Sequence, residues 1–220
     1  RSFSSAVRRL REQSQLRLGR SPEMWITEWG FAVGQKVKNG VILSEDMVAA
    51  FVPRAYISAA IAGVKVLCWF SSQHSVDGAM GLRDNHGKRR KAIGAMRTMT
   101  REIGDYVLVR QVMGQDRPTA GVQAYLFRGE DDNKLVIWNI DGDRSVLIDN
   151  LANAKIEVRD VQRRRVSVKY ADDGTVTLLV NREPIYVSGV SADVSLKIAP
   201  AVPRNLRMNI SLSAVEVPGL

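Results

Sequence analysis

Hydrophobic and polar positions change period part-way along the chain. From Ser4 to about Leu16 the spacing is helical, with Ala6, Val7 and Leu10 on one face and Ser4 or Ser5 as N-cap. Gly19 and Pro22 break that pattern. Met24-Trp25-Ile26-Thr27-Glu28-Trp29 is a short β-prone run with Gly30 behind it, followed by a loop holding Gly34, Asn39 and Gly40. A second helix starts at Ser44, a suitable N-cap, with Glu45 and Asp46 at the positive end of its dipole. It runs to Ala62 and stops at Gly63; Pro53 should kink or divide it. Val64 to Phe70 is almost continuously apolar, as in a strand covered on both faces. After a polar loop from Ser71 to about Lys88, a third helix carries Ala92, Met96, Met99 and Ile103 and stops at Gly104.

Helices alternating with strands predict parallel strands joined by helical crossovers. Two strands do not make a stable sheet, so further βα units are expected before Arg1. Beyond Pro118 the period shortens. Seven β-prone runs follow, at Val122–Phe127, Leu135–Asn139, Ser145–Ile148, Lys155–Val158, Val166–Tyr170, Val176–Val180 and Pro184–Val187. Turn sequences such as Asp141-Gly142-Asp143 and Asp172-Asp173-Gly174 separate them, which predicts a small antiparallel sandwich or barrel. The expected organisation is an α/β unit over residues 1–106 and an all-β unit over 118–189 that folds separately. Residues 190–220 read as a linker around Ala199–Pro203 and, from Asn209, the start of a further module.

Composition narrows this picture only a little. Hydrophobic residues make up 45% and charged residues 25%, enough for one large or two small cores and against disorder. No apolar run is long enough to span a membrane. Net charge is +9, from 32 Lys and Arg against 23 Asp and Glu, which raises nucleic acid as a partner. The basic clusters Arg8–Arg11, Lys88–Lys91 and Arg163–Arg165 lie in different elements, however, and read as solvated faces rather than a nucleic-acid surface. Cys68 is the only cysteine, so no internal disulfide is possible. The first residue is Arg1, and no leader pattern follows it, so the chain is expected to be processed or an interior piece of a longer protein.

Glu28 is the leading chemical candidate. It ends a strand just before a glycine and a long loop, and sites in parallel barrels gather at such strand ends. By alternation Glu28 shares a face with Ile26 and Met24, and Trp25 packs on the other, under helices. A carboxylate there can act as nucleophile, general base or metal ligand; position alone also allows a surface ion pair or a capping acid. Trp69 ends the second strand, where an indole can stack on a sugar or fill a core. His74 lies in the following loop, where it reads as a surface residue or as one able to reach a substrate hydroxyl, and His86 sits in a turn expected to be exposed. Two histidines without clustered cysteines give no zinc spacing, and no phosphate-binding or dinucleotide glycine motif occurs. No metal and no cofactor is expected.

The run Trp25-Ile26-Thr27-Glu28-Trp29-Gly30 resembles the seventh-strand signature of the clan A retaining glycosidases, which are (β/α)8-barrel enzymes. Further segments match that family in order. Arg54-Ala55-Tyr56 and Ala62-Gly63-Val64 resemble the next helix and its approach to strand eight. Cys68-Trp69-Phe70 resembles the end of that strand, and Gly81–Gly87 the turn into the last barrel helix. Val136–Asn139, Val158–Asp160 and Pro184–Val187 resemble runs in the appended β-sandwich. The resemblance covers most of residues 1–189. It implies the C-terminal part of a TIM barrel followed by a small antiparallel sandwich. It also implies Glu28 as catalytic nucleophile, Trp69 as sugar platform and a carbohydrate substrate. The family's second carboxylate follows Asn at the end of strand four, and this chain has no Asn-Glu pair. The reading is thus a glycoside hydrolase piece, inactive alone, with a secreted or periplasmic setting favoured. The rival is a non-catalytic carbohydrate-binding or structural sandwich, whose mark would be a row of exposed aromatics on one sheet face.

Overall fold

The structure is a computed structural model and describes residues 3–37, 40–73, 78–113, 121–152 and 155–199. Helix α1 (Phe3–Leu18) takes in Ser4 and Ser5 rather than starting after them. Strand β1 (Met24–Trp29) follows, then helix α2 (Glu45–Ile61), strand β2 (Val64–Trp69) and helix α3 (Lys91–Ile103). Ser44 caps α2 by accepting a hydrogen bond from the Met47 amide at 3.2 Å, and Gly63 takes a positive φ where the helix ends. Pro53 does not divide α2, which is continuous across it. A helix-interior proline costs about 3 kcal/mol. Val48, Val52 and Ile57 are all buried on this helix, and burial of each is worth roughly 1.5–3 kcal/mol, so packing outweighs the lost hydrogen bond.

β1 and β2 form a parallel pair, with Met24 opposite Val64 and Trp29 opposite Trp69. Their C-terminal ends therefore lie at one end of the sheet. The core beside them joins α2 to α3 through Val48, Ala49, Val52, Ala92 and Ala95. Two ion pairs tie the starts of these helices together, Arg90 with Glu45 and Lys91 with Asp46.

The remaining strands are antiparallel: β3 (Val107–Met113), β4 (Val122–Arg128), β5 (Asn133–Asn139), β6 (Arg144–Leu151), β7 (Glu157–Arg159), β8 (Lys169–Tyr170), β9 (Val176–Val180) and β10 (Ile185–Ile198). They make one hydrogen-bonded sheet in the order β3-β4-β5-β10-β6-β9-β8, with β7 also on β10. Val122 and Leu126 of β4 meet Val176 and Leu178 of β9 in one buried cluster, so the sheet curls over its own apolar face. The strands extend beyond the expected 118–189 span at both ends. β3 precedes it, and β10 continues through Gly189 to Ile198 where a linker was expected. Residues 200–220, with the expected further module, lie outside the described residues.

The opposite face of this sheet is not free. Tyr125, Phe127, Val136, Trp138 and Tyr186 pack with Ile57 of α2 and Ile103 of α3 in a third cluster. The helical and β parts thus share a core. Taken together the chain is mixed α/β with mostly antiparallel strands, and among the described residues no helix is long and apolar enough to cross a membrane.

Candidate active site

Glu28 opens into a cleft of about 440 Å³ at the shared C-terminal end of β1 and β2, lined also by Trp29, Gly30, Phe70 and Met80. The approach of the two strand ends is close. A Cβ on Gly30 would stand 2.3 Å from the Phe70 carbonyl oxygen and 3.3 Å from the Met80 side chain. Only a residue without a side chain lets β1 leave the sheet on this path. The Phe70 amide donates to the Trp29 carbonyl at 2.8 Å, so pairing continues one residue past the end of β2. The Phe70–Ser71 peptide is cis.

Simple alternation does not hold along β1. Register shifts fall between Met24 and Trp25 and between Ile26 and Trp29. Trp29 therefore pairs with Trp69, and both turn toward the helices: Trp69 packs on the α2–α3 cluster, and Trp29 meets Phe31 edge-on at 5.9 Å. Their chain neighbours Glu28, Cys68 and Phe70 are left on the other face, where Glu28 and Cys68 are exposed. Trp25 is 61% exposed and does not pack under helices as expected. The same shift decides the aromatic in the cleft. Phe70, not Trp69, lines it beside Glu28; the Trp69 indole sits against helix side chains, its Nε1 buried without a hydrogen-bond partner. A tryptophan at a strand end is the conspicuous residue in the sequence, but partner alternation from the Trp29–Trp69 pair points to the next one. His74 lies outside the described residues. His86 is exposed in the turn that Asp84 organises, whose Oδ1 accepts from the His86 and Lys88 amides at 2.9 and 2.8 Å.

Glu28 is the one carboxylate among the described residues lining the cleft. Glu45 and Asp46 are held in ion pairs at the helix starts, away from it. Among the described residues no group of acidic, histidine or cysteine side chains is arranged to hold a metal ion. An exposed carboxylate at a strand end, beside Phe70 in an open cleft, can attack or accept a proton from a ligand lying over Phe70.

Two solved structures share this fold. One is a family 39 glycoside hydrolase from the gut symbiont Bacteroides cellulosilyticus WH2, which superposes with a TM-score of 0.68 over 83% of this chain and 37% of its own, at 13% identity. The chain shares its fold with part of a glycoside hydrolase. A family 30 subfamily 8 xylanase, Xyn30A, from Clostridium acetobutylicum gives a TM-score of 0.52 over 79% of this chain and 43% of its own, at 14% identity. The chain therefore spans well under half the length of these structures. The resemblance to the clan A glycosidases, carried by Trp25–Gly30 and the segments after it, holds at the level of the fold. No protein-family model matches the chain, and no curated protein matches it.

Proposed function

We propose that this chain supplies the last two βα units of a (β/α)8 barrel and the β-domain behind them in a retaining glycoside hydrolase, secreted or periplasmic, that acts on a β-linked carbohydrate. The carrying observation is Glu28 at the C-terminal end of a parallel strand, opening with Phe70 into a cleft, in a fold shared with glycoside hydrolases. Two further observations support it. The face of β1–β2 that bears Trp25 and Glu28 is open, as expected of strands that line a barrel interior. Each of these strands also pairs with only one neighbour among the described residues.

In this reading the Glu28 carboxylate attacks the anomeric carbon, and the glycosidic oxygen leaves with a proton from a second carboxylic acid about 5–5.5 Å away. Water then attacks the glycosyl ester, gives its proton to that second group and frees Glu28. The second carboxylate would come from another barrel strand, so the 220-residue chain alone should not turn over substrate. Phe70 would lie under the sugar ring, the place first expected of Trp69, and His74 stays a candidate hydroxyl partner. The binding-module reading loses its main support, because Tyr125, Phe127, Trp138 and Tyr186 are buried and Tyr170, exposed by itself among these five rings, makes no row.

The test uses a protein joining this chain to the remaining barrel strands. It is treated with a 2-deoxy-2-fluoro-β-glycoside bearing a good leaving group, and its peptides are weighed. The label should sit on the peptide containing Glu28 and vanish in Glu28→Gln, together with most turnover of an aryl glycoside. A label elsewhere, or full activity in Glu28→Gln, would reject the assignment.

A further inference from the structure

We propose that a second pocket, separate from the Glu28 cleft, binds a small carboxylate with an apolar body, its carboxylate held between Arg54 and Arg182. This pocket of about 260 Å³ lies where the loop after β1, helix α2 and the turns of the β-sheet meet. Arg54 comes from the middle of α2 and Arg182 from the turn between β9 and β10. None of the residues lining it lines the Glu28 cleft.

The two guanidinium groups are left in an unusual position. The Arg54 guanidinium rests 5.1 Å from the centre of the Phe51 ring. Burial, and then the charge of Arg182, bring its pKa down to about 10, and no carboxylate offsets them. Arg182 spends its Nε on the Ile140 carbonyl at 3.3 Å, which anchors the side chain beside another residue of the pocket lining. Neither arginine takes part in a salt bridge with a described residue. Two cations converging on a partly desolvated space repel each other, and an anion between them reverses that interaction. Guanidinium forks match a carboxylate's two oxygens in plane.

The walls specify the rest of the ligand. Phe31, Leu43, Met47 and Phe51 present carbon surface, so sugar hydroxyls would lose their water there without side-chain partners. A cavity of about 150 Å³ lined by apolar side chains accepts a benzene ring. The larger volume here suits one ring or a short branched chain with its carboxylate. Inorganic phosphate would meet the arginines but leave those walls wet.

The full chain is titrated with benzoate, benzamide and inorganic phosphate, with binding followed by calorimetry and NMR shifts. Benzoate should saturate at one site, while benzamide and phosphate bind at least about tenfold more weakly, a difference of about 1.4 kcal/mol. Arg182 is exposed, so Arg182→Ala should keep the fold, checked by circular dichroism, and weaken benzoate by a similar factor; Arg182→Lys should lose less. Absence of saturable benzoate binding would overturn the proposal. So would benzoate binding unchanged in Arg182→Ala, or benzamide or phosphate binding as tightly as benzoate. None of these outcomes bears on Glu28, so the glycosidase reading stands or falls separately.

Discussion

A single hydrogen at position 30 sets the shape of the cleft. With 2.3 Å between a Cβ at this position and the Phe70 oxygen, Gly30→Ala cannot be accommodated by a side-chain rotation, because the obstacle is backbone. The ends of β1 and β2 must part, which would stretch the Phe70–Trp29 hydrogen bond and carry Glu28 and Phe70 with them. Overpacking of this kind costs about 1–3 kcal/mol. Urea denaturation should place Gly30→Ala clearly below the parent; an unchanged midpoint would remove the close approach as the reason for glycine. The place of Glu28 near the end of β1 was legible in the sequence, because a β-prone run closed by a glycine is a local signal. Phe70 was not, because its orientation depends on a register shift in the neighbouring strand, and that shift leaves no mark in residue order.

At the scale of elements, what local chemistry dictates was readable and what pairing dictates was not. Ser44, the acids after it and Gly63 bound α2 because capping is satisfied within a few residues. β3 went unread although Val107, Val109 and Val112 are β-branched. It is an edge strand with two register shifts, and its exposed Val107 and Val109 blur the alternation. Gly189 looked like a stop, yet its positive φ lies where β10 shifts register between Ser188 and Val190, passing from β5 to β6. Pro53 misled for an energetic reason: its penalty is real, but it is smaller than the packing of the helix around it. If that account is right, the penalty is still present in the folded chain. Pro53→Ala should then raise stability by up to about 3 kcal/mol, less what the buried ring contributes to packing. Urea unfolding checks this. A loss of more than about 1 kcal/mol would mean that the ring, not the helix, holds this segment.

For the whole molecule, the decisive feature is the surface shared by helices and sheet. Two apparent units would unfold independently only if few contacts joined them. Here Ile57 and Ile103 complete a cluster whose other members are Tyr125, Phe127, Val136, Trp138 and Tyr186 of the sheet. Buried Glu102 of α3 adds ion pairs to Lys134 of β5 at 2.9 Å and to Arg163 at 3.4 Å. The turn after β7 lies against α3, where Gln162 donates to the Lys91 carbonyl at 3.1 Å and its side-chain tip occupies the space above Gly94. Removing the helices would expose large aromatic rings and strip Lys134 of its partner. The expectation from sequence, a β unit over 118–189 folding by itself, omits β3, the second half of β10 and this entire shared face. The full chain should therefore unfold in one transition, with far-ultraviolet circular dichroism and tryptophan fluorescence coincident along a urea series. Glu102→Ala should lower that single midpoint by an amount equivalent to about 1–3 kcal/mol, since it takes the carboxylate from the partly buried Lys134 and leaves it against the Tyr106 ring, and should not split it. Residues 118–189 expressed alone should show no cooperative transition. Two separated transitions in the full chain, or cooperative unfolding of the short span, would mean that the shared cluster contributes little and that the sheet's own apolar core is sufficient.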